Sequence, residues 1–229
     1  MLLTRYGLKE ILLALVLFGG GAAALALYFP WAAIVPGVLL LFTLYFFRDP
    51  RRAPPGDDGA IVSPADGKVV DIEEVDDGEV IGGRAVRVGV FLSILDVHLN
   101  RAPLAGRVTF LKYSPGKFLA AFNKKASTEN ESNTVGIETA HACPGGGPLR
   151  LKIKQISGII ARRIVCACRE GQDLARGERF GMIKFGSRTE LYLPVGAAEL
   201  AVGIGDKVRA GRTVIGTVTG APDRKDGER

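Results

Sequence analysis

From Ile11 to Phe47 the chain carries no charged residue. Nothing else in the sequence constrains the fold as tightly, because such a run must be buried in protein or lie in lipid. It divides at Tyr28-Phe29-Pro30-Trp31 into halves that each approach the ~17 to 25 residues a helix needs to cross a hydrocarbon core. Arg5 and Lys9 precede the first half, Arg48, Arg51 and Arg52 follow the second, and the turn between them has no basic residue. The positive-inside rule then puts both ends in the cytoplasm. Tyr28, Phe29 and Trp31 at the turn and Tyr45, Phe46 and Phe47 at the exit match interfacial aromatic belts. A secretory signal would end a shorter apolar stretch in a small-residue cleavage site; here the small residues lead into a second apolar run. Gly19-Gly20-Gly21 weakens the first helix, so a hairpin dipping into the bilayer is the alternative to one that spans it. The expectation is an anchoring helical hairpin over residues 1–52 and a domain over residues 53–229 held at the inner leaflet of the cell membrane.

After "RDPRRAPPGDDG" the pattern changes to short β segments separated by turn residues. Strands are predicted over Lys68–Val75, Ala85–Ser93, Arg107–Tyr113, Thr134–Thr139, Leu149–Ile156, Arg162–Cys168, Arg179–Phe185 and Arg188–Leu193, with two or three more up to Val218. Helical periodicity is confined to a turn around Lys117–Asn123. Many short strands at this spacing predict a mainly β, antiparallel sandwich or barrel. "SPADGKVVDI" and "VGIGDKVRAGRTVIGTV" resemble the paired half-motifs of barrel-sandwich hybrid domains, the fold of lipoyl and biotinyl carriers. A carrier needs a modifiable lysine at a hairpin tip in an M-K-M-like setting, and none is present, so the resemblance speaks to shape alone.

The net charge of +6 suits an anionic partner, and anionic lipid fits better than nucleic acid because the basic residues form no stripe with interleaved aromatics. Cys143, Cys166 and Cys168 are too few and too oddly spaced for a disulfide framework or a four-ligand zinc site, and read as buried thiols in a reducing compartment. Exposed sheet edges would favour a homodimer.

Within "KFGSRTELYLP" the pair Gly186-Ser187 interrupts what otherwise reads as one strand. A bulge or tight hairpin is the simple explanation, and a chain that cuts itself there is the sharper one. Of the two histidines, His141 falls in a loop and reads as solvated, whereas His98 in "FLSILDVHLNRAP" stands among Asp96, Asn100 and Arg101. Asp66 in "PADG" occupies an Asx-turn position. Residues 122–133, "FNKKASTENESN", form a polar loop able to cover a site, and Asn130-Glu131-Ser132 matches a glycosylation sequon that would be inert in the cytoplasm. The sequence has no Gly-rich phosphate motif, metal-ligand cluster or nucleophile elbow.

In chain order, "FFRDPRR", "SPADGKV", "FLSILDVHLNRAP", "NKKASTENESNTVGIET" and "FGSRTELYLP" resemble the short, membrane-anchored form of phosphatidylserine decarboxylase, a pyruvoyl-dependent enzyme. Two positions depart from the family pattern: Ser132 stands where an arginine is common, and Arg101 where the longer branch has a second histidine. The resemblance implies self-cleavage between Gly186 and Ser187 into a β chain of residues 1–186 and an α chain of residues 187–229, with Ser187 converted to a pyruvoyl group. That group would form a Schiff base with the amine of phosphatidylserine, and carbon dioxide would leave to give phosphatidylethanolamine. His98 is the implied proton donor, because an imidazole with its ordinary pKa of ~6.5 exchanges protons near neutrality. Asp66 is implied to orient His98 or to act as base during cleavage, and Asn100 and Arg101 to contact substrate.

The alternative from another class is a membrane-tethered adaptor of a secretion or efflux system, which also joins an anchor to a lipoyl-like barrel. Such adaptors carry a long helical hairpin between the half-motifs, and none is legible between Lys68 and Gly205.

Overall fold

The computed structural model describes residues 2–121, 123, 125–159, 163–184 and 186–219, in two units that meet between Arg51 and Arg52. In the first unit, α1 (Leu8–Ala14) runs through a π-helical stretch at Leu15–Gly19 into α2 (Gly20–Tyr28). The glycine run therefore widens the helix by a π turn and does not break it. After a 3-10 turn at Pro30–Ala33, α3 (Ile34–Phe46) returns alongside. The helical stretch Arg5–Tyr28 is 24 residues and is long and apolar enough to cross a membrane; Pro30–Phe46 is shorter. The hairpin's two ends are zipped together. Thr4 N–H donates to the Phe47 carbonyl at 2.9 Å, Asp49 N–H donates to Leu2 at 2.7 Å, and the Phe47 ring packs where a side chain on Gly7 would stand.

The second unit is mainly β. Its strands are β1 (Ala60–Val62), β2 (Gly67–Asp77), β3 (Gly83–Leu92), β4 (Leu99–Arg101), β5 (Gly106–Ser114), β6 (Ser132–Ala142) and β7 (Pro148–Ile156), then β8 (Arg163–Cys166), β9 (Asp173–Leu174), β10 (Arg179–Lys184), β11 (Ser187–Pro194), β12 (Ala198–Leu200), β13 (Lys207–Val208) and β14 (Val214–Val218). A curled antiparallel sheet has the order β13-β2-β3-β11-β7-β6-β5-β9, and two small sheets, β4-β10-β8 and β1-β14-β12, complete the fold. The two half-motifs lie side by side, as a barrel-sandwich shape requires: β13 pairs with β2, Lys207 opposite Lys68, and the Val69 N–H donates to the Asp206 carbonyl at 2.9 Å. Both outer strands of the large sheet are two residues long and pair with only Gly67–Lys68 of β2 and Gly106–Arg107 of β5.

Several expectations shift. Residues 117–121 are not helical, because Lys117 bonds through both its N–H and its carbonyl to the Glu129–Glu131 backbone, which requires an extended chain. The helical turn is instead α4 (Ala126–Glu129), inside the segment read as loop. His141 is no loop residue: it is the penultimate residue of the longer β6, and its Nε2 lies 3.2 Å from the Asp58 carbonyl. Strand β4 is absent from the predicted set, being three residues long with no alternation to betray it. Phe122, Lys124, Arg162 and Phe185 lie outside the described residues.

Strand β11 sits between β3 and β7 and is buried on both faces. Its side chains alternate, as in any strand. Ser187, Thr189, Leu191 and Leu193 share the face turned to the apolar core, where Leu191 and Leu193 meet Val88, Val90, Ile137 and Ile153. Arg188, Glu190 and Tyr192 take the other face. There Arg188 binds Asp71 at 2.5 Å and Glu190 at 2.7 Å, while Glu190 also accepts from the Tyr192 hydroxyl at 2.7 Å and from Ser127 of α4 at 3.0 Å. Lys154 donates to the Ser127 carbonyl at 2.7 Å, and burial pushes its ammonium below the ordinary lysine range. Every charge on this face has an opposite charge or a hydrogen bond beside it, which is the condition for burying charge at tolerable cost.

A related clamp holds the β2–β3 connection. Lys152 bonds to Asp77 and, at 3.0 Å, to Glu79, which also takes Lys112 at 2.6 Å. These two ammonium groups hold the Glu79 carboxyl at about 2, well below its ordinary 4.5. A depressed carboxylate pKa contributes stability above the unfolded value that is lost as pH falls through the folded one. The thermal midpoint of the wild type is therefore expected to exceed that of Glu79→Gln at pH 6, by a modest margin because Glu79 is half exposed. The margin should shrink between pH 4.5 and 2, as followed by circular dichroism.

Candidate active site

The site lies where the chain passes from one sheet to another. Strand β10 pairs with β4 and β8, and β11 pairs with β3 and β7, so Gly186 is neither bulge nor hairpin but the crossing point between sheets. Its φ of +65° is the left-handed conformation that glycine adopts at little cost. The next residue, Ser187, opens β11 opposite Leu92 and is fully buried. Its Oγ has no hydrogen-bond partner among the described residues. A buried hydroxyl in that state is costly, and in a native fold it calls for an explanation.

His98 stands just ahead of β4 and is also fully buried. Its Nδ1 lies 3.0 Å from the Asp96 carbonyl, and its Nε2 lies 3.1 Å from the Gly186 N–H. One tautomer satisfies both contacts: Nδ1 carries the proton and donates to Asp96, while Nε2 keeps a lone pair that accepts from Gly186. The His98 carbonyl also accepts from the Ile183 N–H of β10 at 3.1 Å, which ties the imidazole's backbone to the strand leading into Gly186. From the other side Gly158 presses on the crossing point, since a Cβ there would come within 2.3 Å of the Gly186 carbonyl oxygen. Ser157, just before it, is buried, with a hydroxyl that has no partner among the described residues.

The fold thus brings together His98, Gly186 and Ser187. It gives Asp66 other partners: Arg52 at 2.5 and 2.8 Å and the Ala210 N–H at 2.8 Å, an arrangement that fastens the first half-motif to the second. Arg52 is correspondingly engaged within the β unit. The orienting contact on the His98 ring comes from the Asp96 backbone, a group that no side-chain motif reveals. Asn100 and Arg101 are buried with internal partners. The Asn100 amide donates to Thr189 Oγ1 at 2.9 Å and accepts from Gln155 at 2.9 Å; Arg101 donates to the Gly177 carbonyl at 2.9 Å. Asn130 is buried too, and its amide bonds to both backbone groups of Leu119 and to the Ser157 carbonyl, each at 2.8 Å. The glycosylation sequon is therefore closed to modification in the folded chain, and its asparagine pins the polar segment beside the Gly158 turn. Ser132, where the family often has arginine, is buried at the start of β6.

The crossing point thus sets a buried serine hydroxyl behind a left-handed glycine whose N–H donates to an imidazole nitrogen. Residues 39–216 match the family model for phosphatidylserine decarboxylase. The chain belongs to the phosphatidylserine decarboxylase family. It is 47% identical over 196 residues, 85% of this chain and 87% of the relative, to the phosphatidylserine decarboxylase proenzyme of Symbiobacterium thermophilum. It is 48% identical over 212 residues, 92% of this chain and 85% of the relative, to that of Rhodopirellula baltica. The proenzyme of Carboxydothermus hydrogenoformans is 46% identical over 190 residues. Asn100→Ala, which strips Thr189 and Gln155 of a partner, should lower the unfolding free energy by about 1–3 kcal/mol in denaturant titration.

Proposed function

We propose that this family member is a proenzyme that cuts its own backbone between Gly186 and Ser187, converts Ser187 to a pyruvoyl group, and with it decarboxylates phosphatidylserine to phosphatidylethanolamine. The observation that carries this is the buried Ser187 Oγ, without a described partner, next to a glycine in a positive-φ turn whose N–H faces His98. Serine at this place fits the group it would become, since its hydroxyl is poised and not consumed by structure.

In maturation, the Ser187 Oγ would attack the Gly186 carbonyl carbon. The hydroxyl proton passes to the Ser187 nitrogen, the C–N bond breaks, and an ester joins the two residues. Removal of the Ser187 α-proton expels the Gly186 carboxylate, leaving a dehydroalanine that takes up water and releases ammonia. Glycine at 186 leaves an approach to its carbonyl free of a side chain, and Gly158 allows the neighbouring backbone to hold that carbonyl closely. Once formed, the pyruvoyl carbonyl supplies an electrophile that condenses with a primary amine and accepts the electron pair left as carbon dioxide departs.

His98, buried and held by Asp96, is the group we assign to proton transfer at this centre; its Nε2 lone pair makes it a base in the resting state and, once protonated, an acid. Asp66 acts with Arg52 as a brace between the two half-motifs, and any part in the self-cleavage passes through that brace. Asn100 supports β11 through Thr189, two residues beyond Ser187. The lipid is reached at the cytoplasmic face of the membrane, where the apolar N-terminal hairpin would keep the enzyme. A substrate withdrawn from the bilayer would cost about 0.8 kcal/mol per CH₂ exposed.

Intact-mass analysis of the purified chain tests the reading. Two fragments are expected, the smaller blocked at its N-terminus by a keto acyl group, whereas Ser187→Ala should remain one chain and release no carbon dioxide from phosphatidylserine. A Ser187→Ala protein that still splits and turns over would refute it. His98→Ala should lower turnover by at least about 100-fold, the usual worth of a positioned acid–base group. Gly158→Ala, whose new methyl would strike the Gly186 carbonyl oxygen, should slow chain cleavage on a gel time course while the far-ultraviolet circular dichroism stays that of the wild type.

A further inference from the structure

Away from the Ser187 centre, Cys166 ends β8 and Cys168 follows one exposed residue later. The Ala167 N–H donates to the Phe180 carbonyl at 2.7 Å, which keeps this piece extended and puts both thiols on one face. Their sulfurs are 3.4 Å apart. Cys166 is half-buried at the margin of the apolar core, while Cys168 is buried within it. The contact with the Cys168 sulfur holds the Cys166 thiol down at about 7 against the opposing effect of burial, with the Cys168 backbone and the Asn133 amide assisting. The same contact pushes the Cys168 thiol up. Asn133 is itself fixed, donating to Gln155 at 3.0 Å, so the amide is in place before any charge develops on Cys166.

We propose that Cys166 and Cys168 form a peroxide-reactive dithiol, a modification site distinct from the decarboxylation centre. Cys166 is the attacking sulfur: its thiolate takes the distal oxygen of a hydroperoxide, the O–O bond breaks, and Cys166 becomes a sulfenic acid as water or an alcohol leaves. The Cys168 sulfur then attacks Cys166, its proton leaves with the hydroxyl as a second water, and an S–S bond forms. The two thiols together lose two electrons, which the O–O bond takes up. Closing the sulfurs to about 2.05 Å needs only a small movement at Cys168, which lies beyond the end of β8. A disulfide that spans a single residue is strained, and strained disulfides are the readily reduced kind. Cys143, on the β6–β7 connection, has no part in it.

The test uses the full chain purified in detergent and treated with hydrogen peroxide. Peptide mapping should show a loss of about 2 Da confined to the peptide that holds both Cys166 and Cys168, restored by dithiothreitol. Cys168→Ser should stop at the sulfenic acid, captured at Cys166 by dimedone, and Cys166→Ser should leave Cys168 unoxidised. Retention of both free thiols in the treated wild type, or a disulfide joining either one to Cys143 or to another chain, would overturn the proposal. The wild-type mapping needs no variant to fold, and none of these readouts depends on decarboxylation.

Discussion

One hydrogen bond organises the centre of this molecule: the Gly186 N–H donating to His98 Nε2 at 3.1 Å. It forms only if β10 carries the chain past β4 and releases it at Gly186 in a left-handed turn, so that β11 can begin in a different sheet. It also needs the Asp96 carbonyl to hold the Nδ1 proton, because the other tautomer would set an N–H against an N–H. The small sheet β4-β10-β8 and the large curled sheet are thus coupled at the residue whose carbonyl adjoins the buried Ser187. A junction held from both sides in this way is ordered before any chemistry begins, which is what the proposed self-cleavage would need.

The surroundings of β11 show how such a junction is held still. One face of the strand is anchored in an apolar core. The other carries Arg188, Glu190 and Tyr192 in a buried polar network that reaches Asp71 on β2, Arg87 on β3 and Ser127 on α4. Breaking a buried ion network strands a charge, so it fixes register and docking more firmly than its net contribution to stability would suggest. Through Ser127 and Asn130 the polar segment is drawn down over the sheet and against the turn at Ser157-Gly158. The segment expected to be a polar loop able to cover a site thus carries the α4 turn and is pinned beside the junction.

The sequence made much of this legible. The strands from Lys68 to Leu193 fall close to where alternation and turn residues put them, since the apolar and polar faces of a half-buried strand differ at every second residue. The paired half-motifs, the apolar hairpin and the Gly186-Ser187 pair could all be read directly. Less legible were the groups whose role depends on what lies across the fold. Asp66 lies in a bend ahead of β2, and its partners Arg52 and Ala210 are 14 and 144 residues away. Asn100 and Arg101 resemble surface polar residues in a string of letters and are buried in the folded chain. Gln155 and Gly158 lie outside every quoted motif, although a glutamine in an apolar strand and a glycine two residues past that strand's end were signals of a polar contact and a close approach.

By itself the sequence determined a mainly β domain behind an apolar helical hairpin, and it marked one serine and one histidine as candidates for chemistry, because hydrophobic period, turn residues and reactive side chains are local properties. Only the tertiary structure decided that this histidine meets Gly186, that the aspartate braces two half-motifs, and that two cysteines touch. Those facts depend on where separate strands are laid beside one another, and strand pairing in an antiparallel sheet is set by packing between residues far apart in the chain.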